Sequence, residues 1–219
     1  RRVIRMEAEA EAALEERVDE AFAGGVEAIL ASPGRVIVSG IGKSGIVGRK
    51  IAATLTSTGT QAVFLHPVAA LHGDLGMVGR DDVAILLSKS GESEELHGLL
   101  EFLGRSGVRV VAMTGRPGSS LARHAEWVLD CSVEEEACPH DLAPTCSTTA
   151  ALAMGDALAV ALLLRRGFGR DDFARLHPGG SLGKKLLLRV SDVMVTHDLP
   201  LLPPDATMRE CTVLLAEKP

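Results

Sequence analysis

The chain has 219 residues, 46% of them hydrophobic, and a net charge of -6. It is apolar enough for a packed core, which excludes intrinsic disorder, and an acidic chain without a Lys/Arg run is no nucleic-acid binder. Aromatic residues are only 3%, with no Tyr, so the core must come from Ala, Val, Ile and Leu.

Residues 5–30, rich in Ala, Glu and Leu and free of Pro, predict one long helix. The same Glu- and Arg-rich opening does not read as a secretory signal. Five short apolar runs follow, Val36–Val38, Val63–Leu65, Val83–Leu87, Val108–Met113 and Trp127–Leu129. Most lack polar alternation, as parallel strands covered on both faces do. Helix-compatible segments lie between them at Ser44–Ser57, Ser93–Arg105 and Ser119–Ala125. The alternation predicts an α/β fold with a doubly wound, five-stranded parallel sheet.

A helix is predicted over Ser147–Arg166, ended by Gly167 and Gly169. Its apolar stretch, Ala150–Leu164, is interrupted by Asp156 and falls short of the roughly 20 residues of a membrane span, so it reads as a buried helix. Leu176–Gly183, with Pro178 and three glycines, must be irregular. At Val190 the character changes. Residues 190–219 carry their own turn at Pro203 and Pro204 and a helix start at Thr207, and are too short to bury a core alone. The expected division is therefore a domain over 1–189 and the start of a second, truncated one over 190–219. Cys131, Cys138, Cys146 and Cys211 form no C-x-x-C pair and read as reduced cytosolic thiols.

Ligands of an open parallel sheet bind at the carboxyl ends of its strands. After the first strand stands Gly40-Ile41-Gly42-Lys43-Ser44-Gly45. It fits the dinucleotide pattern G-x-G-x-x-G, but the second strand ends Leu65-His66, with no acid for a ribose. It is no Walker A loop either, because Ile37 stands where Gly is required. What remains is a tight glycine turn that places Lys43 where an anion would bind. After the third strand stands Ser88-Lys89-Ser90-Gly91-Glu92-Ser93. Its hydroxyls and free amides at a helix N-terminus suit a phosphate, and the plainer reading, a Ser N-cap, needs only one of them.

These two turns, with "HPVAALHGDLGMV" (66–78), "EACPHDLAPTCSTTAALAMGDALAVALL" (136–163) and "HPGGSLGKKLLLRVSDVM" (177–194), resemble the SIS domain family of phosphosugar-binding proteins. Within it they are similar to the arabinose-5-phosphate isomerase type. The tail from Val190 resembles the opening of a CBS repeat, a module that such isomerases carry as a pair. The resemblance implies a three-layer, flavodoxin-like αβα sandwich. It implies interconversion of ribulose 5-phosphate and arabinose 5-phosphate, the first step of Kdo synthesis for lipopolysaccharide. The implied catalytic set is Lys43, Glu95, Glu136 and His177. Substrate contacts are implied at Gly42, Ser44, His72, Ser88, Ser90, Gly91, Ser93, Thr145 and Ser147.

Such a set suits the chemistry. A carboxylate moves a proton between neighbouring carbons, a cation stabilises the enediolate, and a histidine opens the furanose ring. No cofactor and no metal is required. Adventitious, inhibitory zinc is the metal behaviour expected, at His72. Taken singly, Glu95 and Glu136 also read as solvated acids, Glu136 ending the run Glu134-Glu135-Glu136, and His177 as a packing or capping residue. Two alternatives stay open: a non-catalytic phosphosugar-sensing regulator, and an isomerase of six- or seven-carbon phosphates. The expected partners are a sugar phosphate and further copies of the chain, as a homotetramer in the cytoplasm, with neither nucleic acid nor membrane.

Overall fold

The computed structural model describes residues 1–180, 183, 184, 186, 188–197, 199 and 201–217. Ser181 and Leu182, within the segment read as irregular, lie outside the described residues. The chain divides into two compact units, Arg1–Phe173 and Ala174–Pro219.

The first unit carries strands β1 (Val36–Gly40), β2 (Ala62–Phe64), β3 (Val83–Ser88), β4 (Arg109–Thr114) and β5 (Trp127–Asp130). They form one parallel sheet in the order β2-β1-β3-β4-β5. Each apolar run of the sequence is one of these strands, to within a residue or two. The reason for their unbroken hydrophobicity is visible in β1 and β3. Val36, Val38, Val83, Ile85 and Leu87 point into one core, while Ile37, Ala84 and Leu86 point into another on the opposite face. A strand covered on both sides favours apolar side chains at every position, and the buried exception Ser39 donates its hydroxyl to the Leu65 carbonyl at 2.6 Å.

One face is covered by α2 (Glu20–Ala31), α3 (Gly42–Ser57) and α7 (Cys146–Arg165), which contribute Phe22, Ile51, Leu55, Met154 and Leu158. The other is covered by α4 (Pro67–Leu71), α5 (Glu94–Ser106) and α6 (Ser120–His124), through Ala70, Leu96, Leu99, Leu103 and Leu121. The doubly wound sandwich is thus the fold.

Two expectations are corrected. The helix predicted over 5–30 is two helices, α1 (Arg2–Ala12) and α2, with a 3-10 turn at Glu15–Arg17 between them. Asp19 makes the break, since its carboxylate accepts from the amides of Ala21 (2.9 Å) and Phe22 (3.2 Å) as the N-cap of α2. Composition alone gives no sign of a cap inside a Glu-rich run. The second correction concerns α7. It has 20 residues and is long and apolar enough to cross a membrane by length and composition, because it begins at Cys146, ahead of the apolar stretch read from the sequence. Ala150, Met154, Leu158 and Leu162 nevertheless lie in the domain core, and Asp156 pairs with Lys50 of α3. Its remaining sides meet α1 and α2 as well as α3, so much of the cover that an all-round apolar helix needs comes from this chain's own N-terminus. Val160 and Leu164 stay exposed.

α8 (Arg170–Leu176) leads into the second unit. There a short helix spans Val190–Val193 and a longer one spans Met208–Glu217. The latter starts where the sequence placed it. Thr207 and Glu210 form reciprocal bonds at its N-terminus, the Thr207 amide donating to Glu210 Oε2 (2.7 Å) and the Glu210 amide to Thr207 Oγ1 (3.4 Å). Val190, Val193, Leu201, Met208 and Leu215 are exposed, as expected of a segment too short for its own core.

Candidate active site

The sheet order sets the site. From β1 the chain winds one way to β2, then returns to the far side of β1 as β3. Connections leaving β1 and β3 therefore diverge, which opens a crevice at their carboxyl ends. A cavity of about 530 Å³ occupies it, lined by Lys43, Ser44, Ser88, Lys89, Ser90, Ser93, Thr114, Arg116, Glu134, Glu135, Asp141, Ser147 and Thr148 among others.

Helix α3 enters directly from β1. Its N-cap is Ile41, which offers no side-chain acceptor, so the first amides of α3 remain available at the positive end of the helix. The helix approaches the strand so closely that a Cβ on Gly45 would lie 2.6 Å from the Gly40 carbonyl oxygen. Glycine is required there, and the result is that Lys43 and Ser44 line the cavity.

The loop after β3 is folded on itself. Ser88 Oγ lies 2.8 Å from Ser93 Oγ and accepts from the Gly91 amide (3.0 Å), while Ser90 Oγ accepts from the Glu92 amide (3.2 Å). Ser93 occupies the N-cap position of α5 yet makes no capping bond; its hydroxyl is turned to Ser88 instead. The plain N-cap reading of Ser93 therefore fails, and the amides that open α5 have no side-chain acceptor. Gly91 has φ 66° and abuts Ser119, whose side chain any Cβ at Gly91 would overlap.

Glu136 is not a solvated acid. Its side chain is 0% exposed, whereas Glu134 and Glu135 beside it are exposed. Oε1 accepts from Lys89 Nζ (2.6 Å) and from the Ser147 hydroxyl. Oε2 accepts from the Thr145 amide (2.8 Å), the Thr145 hydroxyl (3.1 Å) and the Ser147 amide (3.2 Å). The carboxylate thereby caps the N-terminus of α7, a favourable place for an anion. Burial pushes its carboxyl up, but Lys89, the Ser147 hydroxyl and the Thr145 and Ser147 amides outweigh burial and hold it down at about 2. The strap that carries Glu136 is pinned in turn by Asp141, in the left-handed region at φ 52°, whose Oδ1 accepts from the Glu136 amide at 2.6 Å.

The structure brings together Lys43, Ser44, Ser88, Ser90, Ser93 and Ser147 in the cavity wall, with Gly42, Gly91, Thr145 and Glu136 immediately behind them through the chain and the bonds above. It does not bring two others there. Glu95 is exposed on the first turn of α5, and His72 is exposed at the end of α4; neither lines the cavity. His177 belongs to the second unit. Among the described residues, no three potential metal ligands stand together, and His72 has no such company. Sequence reasoning passed over Lys89 and Arg116, which add two cations to the cavity. The signal was present: each follows a strand's carboxyl end, the argument already applied to Lys43.

Fold and site define an α/β protein with a crevice lined by lysine, arginine and serine side chains at its topological switch point. The chain belongs to the SIS domain family, which matches residues 29–161. It is similar to arabinose 5-phosphate isomerase KdsD of Pseudomonas aeruginosa, with 54% identity over 193 residues, 88% of this chain and 59% of that protein. The Yersinia pestis protein of the same name is 48% identical over 219 residues, 100% of this chain and 67% of that protein. The chain thus spans between 59% and 67% of the length of these curated relatives. Among solved structures, an Escherichia coli CFT073 protein in complex with arabinose 5-phosphate matches with a TM-score of 0.76 and 41% identity, over 81% of this chain and 94% of that one.

Proposed function

We propose that this chain is an aldose-ketose isomerase that interconverts ribulose 5-phosphate and arabinose 5-phosphate through an enediolate. The observation that carries the reading is a buried, ionised carboxylate set directly behind the wall of a crevice that holds an anion cradle, and joined to that wall by Lys89 and Ser147. The cradle is the Ser88–Ser93 loop with the uncapped start of α5, and the carboxylate is Glu136. The phosphate binds in the loop. Lys43, in the wall of the same cavity, stabilises the oxyanion of the enediolate. Glu136 moves the proton between the two carbons, and is a better placed base than the exposed Glu95. His177 opens the sugar ring. Gly42, Ser44, Thr145 and Ser147 shape the pocket, and His72 and Glu95 serve it from its periphery. The reaction needs neither metal nor nucleotide cofactor.

The names of the Pseudomonas and Yersinia relatives and the arabinose 5-phosphate bound to the Escherichia coli protein support this substrate. On the same grounds the reaction is assigned to the opening step of Kdo and lipopolysaccharide synthesis in the cytoplasm, and residues 190–219 to the start of a CBS module. The working form is a homotetramer. In support, Ile46 of α3 and Val160 and Leu164 of α7 are exposed, and they flank the Lys50–Asp156 pair that joins the two helices. Apolar residues grouped in this way mark a contact surface.

The test is conversion in deuterated water. The purified protein, with chelator present, should turn ribulose 5-phosphate into arabinose 5-phosphate that carries solvent deuterium beside its carbonyl. Binding of the sugar phosphate with neither conversion nor deuterium incorporation would instead mark a sensor, and activity lost to chelator and restored by one metal would overturn the metal-free reading.

A further inference from the structure

Glu136 as it stands is a poor proton acceptor. Two carboxylate oxygens offer about four lone-pair sites, and five donors already occupy them: the Lys89 ammonium, the Ser147 and Thr145 hydroxyls, and the Thr145 and Ser147 amides. A base also works best with its pKa near the working pH, and this carboxyl is held far below it. Four of the five donors cannot leave. They are backbone amides at the start of α7 and hydroxyls on short side chains whose residues are buried or half-buried.

Lys89 differs from them in every respect. Its stem is long and flexible, its side chain is 49% exposed, and it lines the cavity. It is also part of the loop built to receive an anion, between Ser88 and Ser90. Its backbone is fixed independently of its ammonium, because the Lys89 carbonyl accepts from the Gly115 amide at 3.1 Å. The side chain can therefore change partner without the loop unfolding. The other charged groups around Glu136 do not substitute for it. Asp141, Glu134 and Glu135 are acids, and Lys43 and Arg116 line the cavity without bonding to the carboxylate.

We propose that Lys89 is a substrate-released latch on Glu136: a phosphate arriving in the Ser88–Ser93 loop draws the ammonium away, and Oε1, left with the Ser147 hydroxyl alone, becomes the proton acceptor. The inference rests on the isomerase reading for its purpose, though not for its test. Lys89 is a positioning residue for Glu136 before the substrate arrives and a phosphate ligand afterwards. The device keeps the base ionised yet occupied until a phosphorylated substrate is bound.

The experiment follows the Glu136 carboxyl by carbon NMR in protein labelled at glutamate carboxyls, with the signal assigned by its loss in Glu136→Gln. Inorganic phosphate is the probe. In the ligand-free protein the signal should stay at its ionised position to the acid edge of the folded range. Phosphate should raise its midpoint by about one to three pH units, the effect of removing a nearby opposite charge. Lys89→Met should show that raised midpoint without phosphate, and phosphate should then add nothing. A midpoint that does not move in the unaltered protein at high phosphate overturns the latch, as does an unmoved midpoint in folded Lys89→Met. If Lys89→Met does not fold, the phosphate arm decides alone. Isomerisation is assayed separately, so a working latch with no turnover would count against the isomerase reading and not against this one.

Discussion

Glu136 shows how far a single residue's character depends on its surroundings. In the sequence it ends a run of three acids, and such runs are normally solvated. In the fold it is the one member turned inward, where it holds Lys89 and the start of α7 together. Its folded-state pKa of about 2 lies below the ordinary value of 4.5. The resulting stabilisation is complete above about 4.5 and is lost as the pH falls through about 2, because protonation removes the charge that pairs with Lys89 and strengthens the other bonds. A difference of this size is on the order of 3 kcal/mol. Glu136→Gln should therefore unfold at lower urea concentration than the parent at neutral pH. The gap between the two midpoints should close as the pH is lowered through that window. Urea titrations at several pH values check this, and a constant gap would remove the carboxylate's charge from the account. The same variant should lose turnover far more than substrate affinity.

At the scale of elements, the loop between β3 and α5 is the proposed phosphate cradle. On that proposal, Ser90→Ala and Ser93→Ala should each remove a donor to the phosphate. A hydrogen bond to a charged group is worth about 1.5–3 kcal/mol, so each should raise KM roughly ten- to a hundredfold and leave kcat less affected. A change confined to kcat would place these hydroxyls at the reacting carbons instead. Gly91→Ala should be worse, since it needs a positive φ and would overlap Ser119. Thermal denaturation should show lowered stability, and phosphate affinity should fall with it. Adding Ser119→Ala should recover only part of the loss, because it removes the hydroxyl but leaves in place the backbone strain and the Cβ of residue 119, which the added methyl still overlaps. Full recovery would mean that the clash with the Ser119 hydroxyl alone sets the requirement for glycine. The spacing of this loop was legible in the sequence because consecutive residues build it. The break between α1 and α2 was not, because Asp19 acts as a cap only in an extended backbone conformation that composition does not specify.

The whole molecule poses the question of where a complete site is assembled. Lys43 belongs to the first unit and His177 to the second, and the proposed tetramer allows the two to come from different chains. Lys43→Ala and His177→Ala oligomers should each be nearly inactive. Unfolded together and refolded, they should regain part of the activity, since some mixed sites then hold an intact Lys43 from one chain and an intact His177 from another. Mixed oligomers without activity would place His177 in its own chain's site or outside the reaction. Less of α7 is free to make that assembly than its composition suggests, because α1 and α2 already cover part of it. The exposed remainder around Val160 and Leu164 is the portion to alter in a companion test of oligomeric state.

What the sequence by itself determined is local. Continuous apolar runs record strands buried on both faces, glycine spacing records where backbone must turn or come close, and Lys43 and the serine loop lie within a few residues of those turns. Only the tertiary structure decided which turns share a crevice. It set β1 beside β3 and so brought the residues following each to one cavity. It also carried Glu136 to Lys89, 47 positions away in the chain, and left Glu95 outside the wall. The physical reason is that burial leaves its mark on each segment's own pattern. Strand order and the pairing of distant charges come instead from packing between segments, to which no single segment's pattern is tied.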